Sequence, residues 1–563
     1  DEVRPALQRV PEGLERGLHA AGFLTYEAAP AFDPALSAHP PAADFPLAWF
    51  GLFRAPERTS LPPAPPTGGA YALGEWRPTV GEAEYRAVIA RIKDHIARGE
   101  TYQVNYTYRL RADFAGDAWA LFQDLAAAQR AAYCAYVDLG RWAVCSASPE
   151  LFFRLDGRRL TARPMKGTAG RGRTLAEDEA QAAWLRASEK NRAENVMIVD
   201  MLRNDLGRVA RLGSVAVPEL FTVERYPTVW QMTSTVTAES AAGLDQILAA
   251  LFPCASITGA PKASTMRIIR ALETTPRRLY TGAIGYAAPG STEARQAWFN
   301  VAIRTVTVDR AAGLAEYGVG GGIVWDSEPD EEYRETQVKA LVLRQRRPPF
   351  ELLESLRWEP ETGYFLLDRH LARLRASAAY FDYPLDEGLI LSELEALAAK
   401  LEPRLHKVRL LAGPDGRVQV EAAPLSPSGS APLRLALASA AIDSTDVFLY
   451  HKTTRRGVYQ AARAARPEAD DVILWNERGE LTETCVANLA LQIGGEWLTP
   501  PVASGLLAGT YRAQLLEEGR LRESVLTREQ LGQAEALAVF NSVRRWRPAS
   551  LLPAAGGRRP GGP

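Results

Sequence analysis

Between Thr79 and Gly99 the apolar residues Tyr85, Val88, Ile89, Ile92 and Ile96 recur at the spacing of one helix face. The preceding TVGE reads as a capping box, and Gly99 is the expected stop. The period then falls to two. In TYQVNYTYRL, Tyr102, Val104, Tyr106 and Tyr108 share one side of a predicted strand, leaving Gln103, Asn105 and Thr107 on the other. A polar strand face meets either solvent or a site. Next, LFFRLDGRRLTARPMKGT reads as a hairpin turning at Asp156-Gly157. An ideal two-residue register sets Glu150 opposite Arg163, with Lys166 about 10 Å further along the strand. Pro164 interrupts the ladder, so the pattern leaves the direction of Lys166 open.

Residues 188–209 form a predicted amphipathic helix with Val196, Met197, Val199, Met201 and Leu202 on its apolar side and Glu194 near its middle. The stretch YGVGGGIVWDSEPDEEYRETQVKA ends a strand and opens a helix carrying Glu331, Glu332, Glu335 and Lys339. Three successive glycines there let backbone N–H groups approach an anion closely. LPPAPPTGG at 61–69 and RQRRPP at 344–349 are Pro- and Gly-rich or charged breakpoints, and PAAGGRRPGGP reads as a disordered tail. The predicted division is an N-terminal subdomain at 1–80, a catalytic domain at 81–343, a linker at 344–350, a second domain at 351–552 and the tail at 553–563.

Composition narrows the function classes. The 563 residues exceed what one core serves. A formal charge of -1, without long single-sign blocks, argues against nucleic-acid or membrane-surface binding. No apolar run approaches the ~20 residues of a membrane helix, and the reading is a soluble cytoplasmic protein. Four scattered cysteines lack C-x-x-C spacing, which excludes a zinc ribbon or disulfide framework. The chain carries eight lysines against 58 arginines. Only Lys can lose its proton or form an imine, so a Lys inside an unusual motif is a candidate chemical group. Lys93, Lys400 and Lys407 read as helix or strand surface.

The ordered motifs GETYQVN, SPELF, PMKGT, NRAENVMIVDMLRNDLGR, SITGAPK, YTGAIGY and GGGIVWDSEPDEEYRET together resemble the chorismate-binding enzymes. The resemblance implies an α+β fold of large antiparallel sheets flanked by helices. It implies Mg²⁺ held by Glu194 and Glu335 with Glu332 in support, and substrate carboxylates bound by Tyr280, Arg304, Lys339 and the Gly320, Gly321 and Gly322 backbone, with Thr258 and Gln103 also lining the site. Chorismate is a dicarboxylate with a hydroxyl leaving group, so cations, donors and an acid are what its site needs. Gln103 stands where the water-using members carry a basic Lys, which points to ammonia as the nucleophile. Lys166 stands where anthranilate synthases usually carry Ala. It resembles the aminodeoxychorismate synthases, in which the lysine amine attacks the ring, Glu150 serves as general acid, and ammonia expels the lysine. Gln231 replaces the His general in the anthranilate branch. No G-x-C-x-G surrounds any cysteine, so ammonia, or a separate glutamine amidotransferase that supplies it, is implied.

The second half, with ELLESLRW, HLARLRASAAYF, YHKTTRRGVYQAA, GELTETCVANL, TPPVASGLLAGTYR and FNSVRRWRPA, resembles the class IV pyridoxal-phosphate enzymes, aminodeoxychorismate lyase in particular. This implies a two-subdomain type IV fold and a homodimer. It makes Lys452 the Schiff-base lysine, Glu483 the partner of the pyridine nitrogen, Arg373 a phosphate contact, and the Thr510 and Tyr511 amides the rest of the phosphate cradle. His451 reads as structural. The expected function is bifunctional: chorismate plus ammonia to 4-amino-4-deoxychorismate, then loss of pyruvate to give 4-aminobenzoate. The alternatives are an anthranilate-type synthase joined to a transaminase, or one domain reduced to a binding module.

Overall fold

The computed structural model describes residues 2–59, 70–343, 350–426 and 431–552. The expected connector at 61–69, the 344–349 breakpoint and the 553–563 tail lie outside the described residues. The chain divides into two compact units, 1–171 with 181–348 and 172–180 with 349–563.

The first unit is α+β, as expected, with two large sheets of nine and eight strands. The strand Gln103–Gly116 runs through the eight-stranded sheet and pairs antiparallel with Leu314–Ile323. The side holding Val104, Tyr106 and Tyr108 packs on Tyr85, Val88, Ile89 and Ile92 of the helix Glu82–Ala97. Each buried side chain of this size contributes about 1.5–3 kcal/mol, which fixes which face of the strand meets the helix. The opposite residues Gln103, Asn105 and Thr107 are buried as well. Tyr102 falls outside the strand and is exposed. The predicted capping box does not form: Gly81 is the N-cap, and Thr79 Oγ1 instead accepts the Arg109 amide at 3.0 Å.

The helix Glu189–Gly207 sinks Ile198, Val199, Leu202 and Leu206 into the other core, while Val196 is 40% exposed. The apolar stripe is thus rotated from the predicted one, and Glu194 lies at its border. Residues of the predicted N-terminal subdomain share this core: His19–Leu24 and Ala48–Phe53 join the nine-stranded sheet beside Ala283–Ala288, and Val3, Leu7 and Val10 pack beneath.

A buried ion network ties the elements together. Arg277 donates to Glu273 Oε1 at 2.7 Å and Oε2 at 3.0 Å, and to the carbonyls of Asn105 (2.6 Å) and Ile257 (2.9 Å). Glu273 Oε1 also accepts the amide and hydroxyl of Thr107 at 2.9 and 2.8 Å. The network pins the polar face of the Gln103–Gly116 strand.

The second unit contains a four-stranded antiparallel sheet, ordered Gly363–Tyr364, Leu352–Glu359, His406–Ala412, Val418–Pro424, and a mixed eight-stranded sheet in which Leu433–Leu437 runs parallel to both Asp471–Trp475 and Arg545–Leu551. The two sheets have separate cores, as a two-subdomain fold requires. Among the described residues no helix is long and apolar enough to cross a membrane.

Removing one partner from a buried ion pair strands the other charge, which costs about 3–5 kcal/mol. Glu273→Ala is therefore expected to lower stability by that amount in a denaturant titration of the first unit's transition. A loss under about 1 kcal/mol would contradict a structural role for the network.

Candidate active sites

In the first unit a cavity of about 460 Å³ opens among Glu150, Lys166, Glu194, Tyr280, Arg304, Glu332, Glu335 and Lys339. Backbone geometry aims Lys166 into it. The strand Met165–Gly170 pairs with Val229–Glu239 through an irregular register between Met165 and Thr168, and Gly167 there takes φ +95°, which a side chain would strain. Gln231 pins this bulge: its Nε2 donates to Gly167 O at 2.9 Å and its Oε1 accepts Thr168 Oγ1 at 3.1 Å. Glu150 is not opposite Arg163 as the ideal hairpin predicted. Leu151 is, because the hairpin turns at Gly157-Arg158 rather than at Asp156-Gly157, with Asp156 paired to Arg159, and the register then shifts by one between Leu151 and Arg154.

Burial dominates the chemistry of both groups. It pushes the Lys166 amine below its ordinary value, against the attraction of Glu194. It also raises the Glu150 carboxyl to about 7, although Ser256 Oγ donates to it at 2.5 Å and Lys166 is near. The site thus favours an uncharged amine and a protonated acid.

Gln103 is fully buried, and neither of its side-chain polar atoms has a hydrogen-bond partner among the described residues. A Cβ built on Gly322 would come within 2.1 Å of Gln103 Nε2 and 2.5 Å of Lys166 Nζ. The amide and the amine therefore converge over a position that only glycine leaves open. Gly320, Gly321 and Gly322 lie inside an extended strand, paired with Thr107, Tyr106 and Asn105, rather than in a loop. They supply space more than a nest of free amides, a correction to the loop expected from sequence. Gly321 faces Glu332 and Lys339.

Thr258 is also misplaced by the sequence reading. Its hydroxyl donates back to Cys254 and Ala255 carbonyls at 3.2 Å each, and the neighbouring Ser256 and Ile257 line the cavity instead. Lys339 reaches Glu335 at 2.6 Å and Gly320 O at 2.9 Å, while Arg304 donates to the Lys339 carbonyl. Glu332 accepts from Ser327 at 2.7 Å. Burial raises the carboxyls of Glu194 and Glu332, and the Glu335 charge pushes both further in that direction. Burial also opposes the ionisation of Glu335, but Lys339 outweighs it and holds that carboxyl down. The three carboxylates therefore feel one another, yet among the described residues no three His, Cys, Asp or Glu side chains form a preassembled metal cage. Lys190, which no motif reading singled out, lines the same cavity.

The second unit has its own cavity, about 660 Å³, lined by Arg373, Lys452, Glu483, Gly509 and Thr510 among others. Burial, followed by the Arg373 charge, brings the Lys452 amine down to about 8. Burial raises Glu483 to about 7, even though it accepts from Tyr459 Oη at 2.8 Å and from the Leu507 amide at 3.3 Å. Thr510 and Tyr511 begin the helix Thr510–Glu517, whose first amides have no intrahelical acceptor. The Tyr511 side chain itself packs away in a core with Leu515 and Phe540. A Cβ on Gly509 would stand 2.0 Å from Asn488 Oδ1, so the approach to this helix is open only to glycine.

Sequence reasoning missed what holds Arg373. Glu354, 1% exposed, accepts its Nε at 2.9 Å and Nη2 at 2.7 Å, and also binds His370 Nδ1 at 2.6 Å. His370 Nε2 lies 3.2 Å from Thr510 Oγ1. Burial opposes ionisation of Glu354, but Arg373 and then His370 outweigh it and bring its carboxyl to about 2. A Glu at the inward-facing third position of a strand carries no motif of its own. His451 is buried, and its ring meets Ser377 Oγ at 2.9 Å. Lys407, read as strand surface, lines the cavity.

Residues 1–345 match the family model of the chorismate binding enzymes, and residues 351–552 match that of the class IV amino-transferases. The chain is 41% identical over 265 residues to aminodeoxychorismate synthase component 1 of Escherichia coli, which covers 46% of this chain and 57% of that protein. It is 44% identical over 263 residues to aminodeoxychorismate synthase of Streptomyces griseus, covering 46% of this chain and 35% of that one. The chain thus spans only about a third to three fifths of these curated relatives. The crystal structure of anthranilate synthase component I from Streptococcus pneumoniae is 24% identical, with a TM-score of 0.52, over 60% of this chain and 85% of that one, a likeness of fold. With its first 345 residues matched throughout, the chain belongs to the chorismate-binding enzyme family, and it carries a class IV amino-transferase region behind that part.

Proposed function

We propose that the chain makes 4-aminobenzoate in two steps, one in each unit. The observation that carries the reading is Lys166: a lysine buried in the cavity, with its charge disfavoured, beside a carboxylic acid whose proton is retained up to about pH 7. An uncharged amine is a nucleophile, and a protonated carboxyl is a general acid.

In the first step Lys166 Nζ attacks ring carbon 2 of chorismate. Both conjugated ring double bonds shift by one bond, and the carbon 4 hydroxyl departs as water with the proton of Glu150. Ammonia then bonds to carbon 4, both double bonds return, and the bond from carbon 2 to the lysine breaks. Gln103 cannot act as a base on water, which favours ammonia. Arg304, Lys339 and Lys190 supply positive charge for the substrate carboxylates. A divalent cation suits the oxygen donors Glu194, Glu332 and Glu335, which would hold it together with a substrate carboxylate and neutralise charge there.

None of the four cysteines is activated. Burial raises the thiols of Cys134, Cys145, Cys254 and Cys485. Glutamine hydrolysis by a thiolate therefore belongs to a separate amidotransferase, in keeping with a relative named as component 1.

In the second step pyridoxal phosphate fits the residues present: an amine at Lys452, a carboxyl at Glu483, and a cradle of Arg373 with helix amides that Gly509 leaves open. When bound, it serves as an electron sink for the substrate's amine-bearing carbon. Lys452 takes the proton from ring carbon 4. The carbon–oxygen bond to the enolpyruvyl group breaks, the ring becomes aromatic, and pyruvate leaves. Glu354 holds Arg373 and His370 in place for the phosphate. A homodimer through the second unit is part of the same proposal.

Two variants separate the steps. Lys166→Ala is expected to abolish conversion of chorismate while leaving the pyridoxal-phosphate absorbance intact. Lys452→Ala is expected to accumulate 4-amino-4-deoxychorismate without releasing pyruvate at a catalysed rate. Wild-type turnover by Lys166→Ala would sink the covalent role, and a normal pyruvate yield from Lys452→Ala would remove the second assignment.

Glu354→Gln keeps the shape but removes the charge that fixes Arg373. Its dissociation constant for pyridoxal phosphate should rise about tenfold or more, whereas that for pyridoxal, which lacks the phosphate, should change less than about twofold. Equal changes for the two ligands would contradict a role in orienting the phosphate cradle.

A further inference from the structure

The second unit is discontinuous. Besides 349–563 it takes in residues 172–180, from inside the span that matches the chorismate binding enzymes. The inserted segment is a tied turn. Gly172 N donates to Asp178 Oδ1 at 3.0 Å, and Arg173 grips Glu177 through its amide (3.0 Å), Nε (3.1 Å) and Nη2 (2.9 Å). A Cβ on Gly172 would stand 2.1 Å from the Asp178 amide, so only glycine lets the turn close. Leu175 anchors the segment in the core around Phe350, Phe381 and Phe448.

The backbone carbonyls of this turn serve as acceptors for the rest of the unit. Gly172 O accepts the Tyr380 hydroxyl at 2.7 Å, and Arg173 O lies 3.1 Å from His451 Nε2. A carbonyl only accepts, so Nε2 carries the proton there, and in the neutral ring Nδ1 accepts from Ser377 Oγ. Arg173 Nη1 also donates to the Tyr450 hydroxyl at 3.0 Å.

Both donors belong to elements that present the cofactor ligands proposed above. On the helix Leu367–Phe381, positions 370, 373, 377 and 380 follow in steps of three and four, so Ser377 and Tyr380 continue the face that carries His370 and Arg373. His451 immediately precedes Lys452, whose carbonyl accepts the Leu353 amide at 2.9 Å. The His451 ring packs on Tyr380, with centroids 4.4 Å apart. One short segment thus holds both the far end of the Arg373 helix and the residue next to Lys452.

We propose that residues 172–180 are a clamp for the second cavity: by holding Tyr380 and His451, their carbonyls set the positions of Arg373 and Lys452, and the cavity binds pyridoxal phosphate tightly only with the segment docked. The proposal rests on the cofactor reading given above. It makes Tyr380 and His451 positioning residues, which act through Arg373 and Lys452 respectively. By linkage, cofactor binding must tighten the docking as much as docking tightens cofactor binding.

In the test, the full-length protein freed of cofactor is titrated with pyridoxal phosphate and with pyridoxal, which lacks the phosphate, and visible absorbance is followed. Tyr380→Phe acts on the Arg373 side, so it should raise the pyridoxal-phosphate dissociation constant about fivefold and the pyridoxal constant less than about twofold. His451→Leu acts on the Lys452 side and should raise both about fivefold. His451→Gln keeps an amide donor within reach of the Arg173 carbonyl and should stay within about twofold of wild type. General unfolding of the unit would give neither the split between ligands nor the rescue. Gly172→Ala alters the segment alone; it forces the turn open and should weaken both ligands. Hydrogen exchange read by mass spectrometry needs no substitution: pyridoxal phosphate should slow exchange in 172–180 as well as in 450–456.

Failure of the clamp and failure of the cofactor reading are distinguishable. If wild type binds pyridoxal phosphate at Lys452 but Gly172→Ala, Tyr380→Phe and His451→Leu bind it equally well, or exchange in 172–180 ignores the cofactor, the clamp is wrong and the cofactor reading stands. If wild type takes up no pyridoxal phosphate, the cofactor reading falls and the clamp falls with it.

Discussion

Each unit buries a lysine amine beside a carboxyl group, and the rest of the site chemistry depends on that desolvation. Burial penalises charge on both members. It lowers Lys166 and raises Glu150 to about 7, and it lowers Lys452 to about 8 and raises Glu483 to about 7. An exposed lysine with a pKa near 10.4 would be protonated almost completely at neutral pH. The two pairs serve different ends. In the proposed reactions Lys166 is offered to a substrate ring and Glu150 to a leaving hydroxyl, whereas Glu483, held by Tyr459 and a backbone amide, would face a cationic ring nitrogen.

The scaffold of the first unit is arranged to create that dry space. Over Gln103–Leu110 the strand has no wet face: aromatic residues pack on a helix on one side, and Gln103, Asn105 and Thr107 are buried on the other, the last two held by the Glu273–Arg277 network. Opposite them, glycines at 320 and 322 remove side chains where any Cβ would collide with Thr107 or with Gln103 and Lys166. The bulge at Met165–Thr168 then turns the lysine inward.

Much of this was legible in the sequence, for identifiable reasons. Period-two alternation located the strand and its polar face, and period 3.6 located the helix Glu82–Ala97, because both patterns follow directly from burial on one side. Motif spacing brought Glu150, Lys166, Glu194, Tyr280, Arg304, Glu335 and Lys339 into one cavity, and Lys452, Glu483, Arg373 and Thr510 into another. What failed depends on events with no local signal. The hairpin turned one residue later than expected, so that Leu151 and not Glu150 faces Arg163, Thr258 turned its hydroxyl back on its own chain, and the glycines proved to be strand rather than loop. Glu354 was invisible because its partners, His370 and Arg373, lie on another element, the helix Leu367–Phe381.

The account stands or falls on where the nitrogen goes. The most direct measurement supplies the purified chain with chorismate, ¹⁵N-ammonium, Mg²⁺ and pyridoxal phosphate, then analyses the aromatic product and pyruvate by mass spectrometry. The account predicts ¹⁵N-labelled 4-aminobenzoate with one pyruvate released for each ring. Labelled anthranilate, with nitrogen on ring carbon 2, would contradict it.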